Sequence, residues 1–136
     1  AVFGQKDAQQ ARVLKRMVRD LNFPIRMVVA PIVREADGLA KSSRNKYLSE
    51  DERARALVLS RSLLAAKEMA EKGEKDLAKL TGFIRKEIEA QGGKVDYVEA
   101  IDSEELEPVT VRDGKPVMIA LAAYFGTTRL IDNIVF

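Results

Sequence analysis

The sequence predicts an α/β fold in which a partial parallel sheet unit is followed by a small α+β unit of two helices and an antiparallel sheet. Three observations predict it. A short apolar stub, Ala1-Val2-Phe3, meets Gly4, and a helical period then leads into a second apolar run, Arg26 to Ala30. Two further segments repeat apolar residues at helical spacing, each closed by glycine. Beyond Gly92-Gly93 the apolar period shortens to two, as strands require.

Each element has its own signal. Leu14, Met17, Val18 and Leu21 recur at i, i+3, i+4 and i+7, which predicts an amphipathic helix from Asp7 to near Asn22, ahead of Pro24. Arg26-Met27-Val28-Val29-Ala30 suits a buried parallel strand that Pro31 lets the chain leave. A two-stranded parallel sheet cannot cover its own faces, so the unit is expected to belong to a larger sheet and the chain to begin in mid-fold. After a loop from Val33 to Leu48, Ser49-Glu50-Asp51-Glu52 has capping-box spacing. One long helix is expected from there, with Ala56, Leu59, Leu63, Ala66 and Ala70 as its stripe and Gly73 as its left-handed stop. Another runs from Asp76 with Leu77, Leu80, Ile84 and Ile88 on one face. Val95, Tyr97, Glu99 and Ile101 then alternate with Asp96, Val98 and Ala100. Val109 to Val111, the turn Arg112-Asp113-Gly114-Lys115, the run Val117 to Ala123, and Leu130 to Val135 complete an antiparallel sheet.

Composition removes whole classes of function. Of 136 residues 46% are hydrophobic and 32% charged, enough apolar side chain to order a core and unlike a disordered chain. The chain has no Cys and no His, which excludes disulfides, thiolate or imidazole zinc ligation, a Cys nucleophile and a His-based triad within it. The longest apolar run, Val117 to Phe125, is too short to span a bilayer, and the start lacks signal-peptide character, so a cytoplasmic protein without a membrane partner is expected. The net charge of +2 hides an asymmetry: Arg34, Lys41, Arg44 and Lys46 crowd one segment while acids dominate Ser103 to Glu107. Glu104, Glu105 and Glu107 read as solubilising surface.

Two segments carry candidate chemistry. At Gly4-Gln5-Lys6-Asp7, between strand and helix, free amides and the positive end of the helix dipole converge, and Lys6 adds a full charge. That suits a phosphate, although Asp7 and Gln10 also have the spacing of a plain helix cap. In Asp37-Gly38-Leu39-Ala40-Lys41-Ser42-Ser43-Arg44-Asn45, Gly38 lets the loop bend, Ser42 and Ser43 offer hydroxyls and amides, and Lys41 and Arg44 bring charge to phosphoryl oxygens. The same loop also reads as a solvated connection. A basic stripe, Arg12, Lys15, Arg16 and Arg19, reads either as the wet face of the first helix or as a contact for RNA phosphates. A small anionic ligand fits the compact basic loop better than a nucleic acid, which needs a wider field.

Phe3-Gly4-Gln5-Lys6-Asp7-Ala8-Gln9-Gln10, the stretch from Pro31 through Arg34 and Asp37-Gly38-Leu39-Ala40-Lys41-Ser42-Ser43-Arg44-Asn45 to Leu48, and Arg129-Leu130-Ile131-Asp132-Asn133 together resemble the pantothenate synthetase (pantoate-β-alanine ligase) family along the whole chain. The resemblance implies a Rossmann-like nucleotide-binding domain ending within residues 1–48, and a C-terminal helix-and-sheet domain over 49–136. It implies a two-step reaction: pantoate attacks the α-phosphate of ATP, with Mg2+, to give pantoyl adenylate and pyrophosphate, and β-alanine then displaces AMP. Gly4, Gln5, Lys6 and Asp7 would line the ATP site, Gln10 would bind pantoate, and Val33 would touch adenine through its backbone. Lys41, Ser42, Ser43 and Arg44 would hold the phosphates, with Lys6, Ser42, Ser43 and Arg44 as the catalytic set. The family's His-containing motif lies in an N-terminal half absent from this sequence, so the chain is expected to be inactive alone and to need that half as a partner. Ala8 stands where the family usually has an aromatic residue, and Lys41 where Met or Leu is frequent. The resemblance leaves room for a homodimer and for a non-catalytic module that keeps the ligase scaffold.

Overall fold

Two short apolar runs pair first: β1 (Val2–Gly4) lies parallel to β2 (Val28–Ala30), Val2 opposite Val28 and Gly4 opposite Ala30. The structure, a computed structural model, describes residues 2–4, 28–30, 32–103 and 107–136. The helix expected from Asp7, its basic stripe Arg12 to Arg19, and Glu104 and Glu105 lie outside those residues.

The capping box forms as its spacing requires. Ser49 Oγ accepts from the Glu52 amide at 3.1 Å while Glu52 Oε1 accepts from the Ser49 amide at 2.9 Å, and α1 (Glu50–Ala56) starts there. The expected long helix is divided: α1 ends before Leu57 and α2 (Val58–Glu71) follows. Leu57 keeps right-handed dihedrals of −60° and −20°, nearer a 3₁₀ turn than an α-helix, so the division is a tightening of one residue and the apolar stripe carries across it. Both glycine stops are Schellman motifs. After α2, Gly73 has φ +113°, its amide reaches Ala70 O and that of Glu74 reaches Met69 O; after α3 (Leu77–Ala90), Gly92 has φ +77° and Gly93 closes on Ile88 O. Asp76 caps α3 by accepting from the Ala78 amide at 3.0 Å.

The sheet has the order β3 (Lys94–Asp102), β4 (Val117–Phe125), β5 (Thr128–Val135), all antiparallel. Its simple alternation is broken in β3, where a bulge between Val95 and Tyr97 leaves Asp96 without a residue opposite it on β4. Val95 therefore shares the helix-facing side with Val98 and Ala100, while Tyr97 and Ile101 face the other way with Met118 and Val135. Val109 to Val111 does not form the expected strand. Its polar groups go elsewhere: the Val109 amide to Ala100 on the outer edge of β3, Thr110 O to the Leu77 amide in the first turn of α3. The principal core lies between α2, α3 and the sheet, with Leu59, Leu63, Leu77, Leu80, Ile84, Ile88, Ile119, Leu121 and Phe125 fully buried. Among the described residues no helix is long and apolar enough to cross a membrane.

A clasped cationic loop as the candidate functional site

The loop between β2 and α1 is more ordered than its glycine and serines imply. Arg34 pairs with Ala40 in an isolated antiparallel bridge, and Gly38, with φ +97°, closes a three-residue turn. The Glu35 amide reaches Leu39 O at 2.8 Å, the Gly38 amide reaches Glu35 O at 2.9 Å, and Asp37 Oδ1 accepts from the Leu39 amide at 3.2 Å. Leu39 joins the principal core, which ties this hairpin to the helices. Arg53 of α1 donates to both Glu35 and Asp37; the hydrogen bond to Glu35, with the charges of both carboxylates, raises its pKa above the ordinary guanidinium value.

The candidate residues follow directly. Ser42 ends the extended stretch and its Oγ accepts from the Arg44 amide at 3.1 Å, so it caps a 3₁₀ turn over Ser43–Tyr47. Lys41, Ser43 and Arg44 are exposed, and Arg44 reaches Arg129 O of β5 at 3.4 Å. Asn45 is buried: its Nδ2 donates to Ala40 O at 3.1 Å, and among the described residues its Oδ1 meets no donor, a buried acceptor that a ligand or water would satisfy. Val33 is 63% exposed and its carbonyl accepts from the Lys41 amide at 2.9 Å. Gly4 ends β1 opposite Ala30; Gln5, Lys6, Asp7 and Gln10 lie outside the described residues.

The basic cluster therefore separates into two kinds of charge. Arg34 is turned inward onto Asp132 of β5 in a two-pronged ion pair, Nη1 to Oδ2 and Nη2 to Oδ1, both 2.8 Å. That bonding raises the Arg34 pKa above its usual value against the opposing effect of burial. Lys41 and Arg44 instead lie at the surface, with Lys46 over the Tyr47 ring at 5.1 Å. From sequence Arg34 stood only as one of the basic cluster and Asn45 only as the end of the candidate loop, while Arg53 and Asp132 had no place in the site. Asp132 had a signal: it is a lone carboxylate in the apolar run Leu130 to Val135, where burial demands a partner.

Such an arrangement, a fixed hairpin leading into exposed cations and hydroxyls beside an α+β unit, belongs to an α/β protein with a cationic surface loop. The family model of pantoate-beta-alanine ligase matches residues 1–135, and the chain belongs to that family. It is 56% identical over 137 residues to the pantothenate synthetase of Clostridium novyi, covering 100% of this chain and 48% of the relative. It is 54% identical to the pantoate-beta-alanine ligase of Oryza sativa, covering 98% of this chain and 42% of that protein. The crystal structure of pantothenate synthetase from Thermus thermophilus superposes with a TM-score of 0.87 at 42% identity, covering 98% of this chain and 48% of that one. A pantoate-beta-alanine ligase of Francisella tularensis, complexed with beta-gamma ATP and beta-alanine, gives 0.63 at 28% identity, covering 98% of this chain and 42% of that one. The chain thus spans about half the length of the curated relatives it matches.

Proposed function

We propose that this chain is the part of a pantothenate-forming ligase that holds the phosphates of ATP, acting in the cytoplasm with the half that carries the family's His motif. The observation that carries the reading is the exposure of Lys41, Ser43 and Arg44 on a segment whose neighbours Leu39, Ala40 and Asn45 are buried. Phosphoryl and adenylyl transfer need chiefly positioning and charge neutralisation, and cations held on an anchored turn supply both. The Francisella relative's ATP and beta-alanine complex supports the same substrates here.

In this reading residues 1–48 complete the nucleotide-binding domain and 49–136 form the C-terminal domain. Lys6, with Gly4, Gln5 and Asp7, would line the ATP site, Gln10 would bind pantoate, and Val33 would border adenine. Lys41, Ser42, Ser43 and Arg44 close from the other side. Pantoate's carboxylate attacks the α-phosphorus and pyrophosphate leaves; the β-alanine amine then attacks the acyl carbon and AMP leaves. Among the described residues no group of three or more His, Cys, Asp or Glu side chains could hold a metal. Mg2+ would enter as the counter-ion of the nucleotide.

The test joins this chain to the N-terminal half of the Clostridium novyi relative and measures AMP. Release that requires both pantoate and β-alanine is expected, with none from the chain alone. Arg44→Ala should raise KM for ATP about 10- to 100-fold, the loss of a charge-assisted hydrogen bond. Nucleotide binding without AMP release would favour the non-catalytic module, and salt-sensitive RNA binding without either would replace the reading altogether. Sedimentation of the joined protein reads out the homodimer.

A further inference from the structure

The segment Arg129-Leu130-Ile131-Asp132-Asn133 carries part of the family resemblance, yet the reaction described above gives it no task. Asp132 lies on β5 with its side chain 2% exposed, and it takes both prongs of the Arg34 guanidinium. Arg34 Nη1 also donates to Gly38 O at 3.1 Å, so one side chain joins the sheet to the turn of the hairpin. Stability alone does not account for this pair, since an apolar pair of similar volume often serves a core as well or better. A rigid two-pronged fork does fix register and orientation, which an apolar contact does not.

What the pair orients is the cationic stretch. Ala40 bridges Arg34, and the next residue is Lys41, whose amide closes on Val33 O at 2.9 Å. Five residues on from Ala40, Asn45 returns its Nδ2 to Ala40 O, so Lys41 to Arg44 is bracketed between two attachments to one anchored residue. Arg44 meets β5 again at Arg129 O, three residues before Asp132, through a bond of 3.4 Å that is long enough to be given up to a ligand.

We propose that Asp132 is a positioning residue that acts through Arg34 to hold Lys41, Ser42, Ser43 and Arg44 in the place where phosphate oxygens are received. The inference rests on the nucleotide reading of that stretch. It separates affinity for ATP from affinity for the other substrates, because the clasp orients the phosphate-holding loop and nothing else assigned to the reaction.

The experiment uses the joined enzyme and two variants, Asp132→Asn and the apolar pair Arg34→Met with Asp132→Leu. Expected for both is a KM for ATP raised about tenfold or more, with KM for pantoate and β-alanine within about twofold of the parent. The apolar pair should melt near the parent temperature and still show the ATP defect, which a merely structural role would not produce. In the 136-residue chain itself, trypsin should cut after Lys41 and Arg44 several-fold faster in both variants. An unchanged KM for ATP in a folded apolar-pair variant overturns the inference. Should that variant not fold, Asp132→Glu, which keeps the charge and displaces the fork, is read in the same way. Absence of AMP from the parent joined enzyme would instead sink the nucleotide reading, a separate outcome.

Discussion

Gly82→Ala and Gly93→Ala add the same methyl group, and the structure gives them opposite signs. Gly82 sits on the exposed side of α3, and a Cβ built there meets nothing within 4 Å. Alanine at such a helical position gains about 0.5–1 kcal/mol over glycine, chiefly by narrowing the unfolded chain. At Gly93 the same Cβ would lie 2.6 Å from Ile88 Cγ2, 2.8 Å from Phe125 Cζ and 3.2 Å from Ile88 O. Ile88 and Phe125 are both fully buried, so neither can swing away, and shifting the backbone would strain the Gly93 amide bond to Ile88 O that closes α3. Overpacking of this kind costs about 1–3 kcal/mol, and a weakened hydrogen bond adds up to about 1. Unfolding entropy for a chain of 136 residues makes each kcal/mol worth about 3.5 °C in Tm. Gly93→Ala should therefore melt about 4–14 °C below wild type and Gly82→Ala about 2–3 °C above it, by circular dichroism at a fixed scan rate. A Gly93→Ala protein melting within about 2 °C of wild type would refute the packing argument, and a destabilised Gly82→Ala would refute the helix argument.

Ser49→Ala removes the Oγ that accepts the Glu52 amide and should lower stability by about 1 kcal/mol in urea titration. Leu63 and Leu64 are neighbours at 1% and 56% exposure, so Leu63→Ala should cost about 2–5 kcal/mol and Leu64→Ala less than about 0.5, measured the same way. Burial raises the Tyr97 phenol above its ordinary value; the Arg129 charge opposes this, and Glu99 and Asp96 add to it. The folded state therefore holds that proton longer than the unfolded one. Its contribution is complete below about pH 10 and is lost as pH climbs through and beyond that value. The stability difference between wild type and Tyr97→Phe should be constant below about pH 9 and shift against wild type above it. A difference that stays flat to pH 11 contradicts the assignment.

Local signals in the sequence carried most of the C-terminal architecture. The capping box at Ser49, the helix start at Asp76, the stripes of α2 and α3 and the stops at Gly73 and Gly92 depend on residues within a turn of one another, and all form. The failures lie where distant groups compete. Val109 to Val111 has strand character, but the first turn of α3 and the edge of β3 claim its backbone, and neither claim is visible in the segment itself. The bulge at Asp96 inverts the face of Val95 although the alternation there is unbroken in sequence. In the candidate site the cations Lys41 and Arg44 were legible as charge near glycine and serine. Arg34 was read with them, and only the fold, by bringing β5 alongside, shows that its charge is spent on Asp132, 98 residues away.

That division of the basic cluster bears on how such a loop functions at all. Four uncompensated cations in one short segment would repel one another and favour an open, fluctuating chain. Neutralising Arg34 against a buried carboxylate, and using Arg53 to neutralise Glu35 and Asp37, removes charge from the base of the loop and leaves it at the tip. The base then packs through Leu39 into the principal core, and on the proposed nucleotide reading the stretch from Lys41 to Arg44 has little entropy left to lose when phosphate binds. An unanchored loop with the same composition would attract the same anion but would first have to be ordered around it. The buried Asn45 acceptor and the long Arg44 bond to Arg129 O mark where the remaining adjustment falls, within the 3₁₀ turn and away from the clasped hairpin.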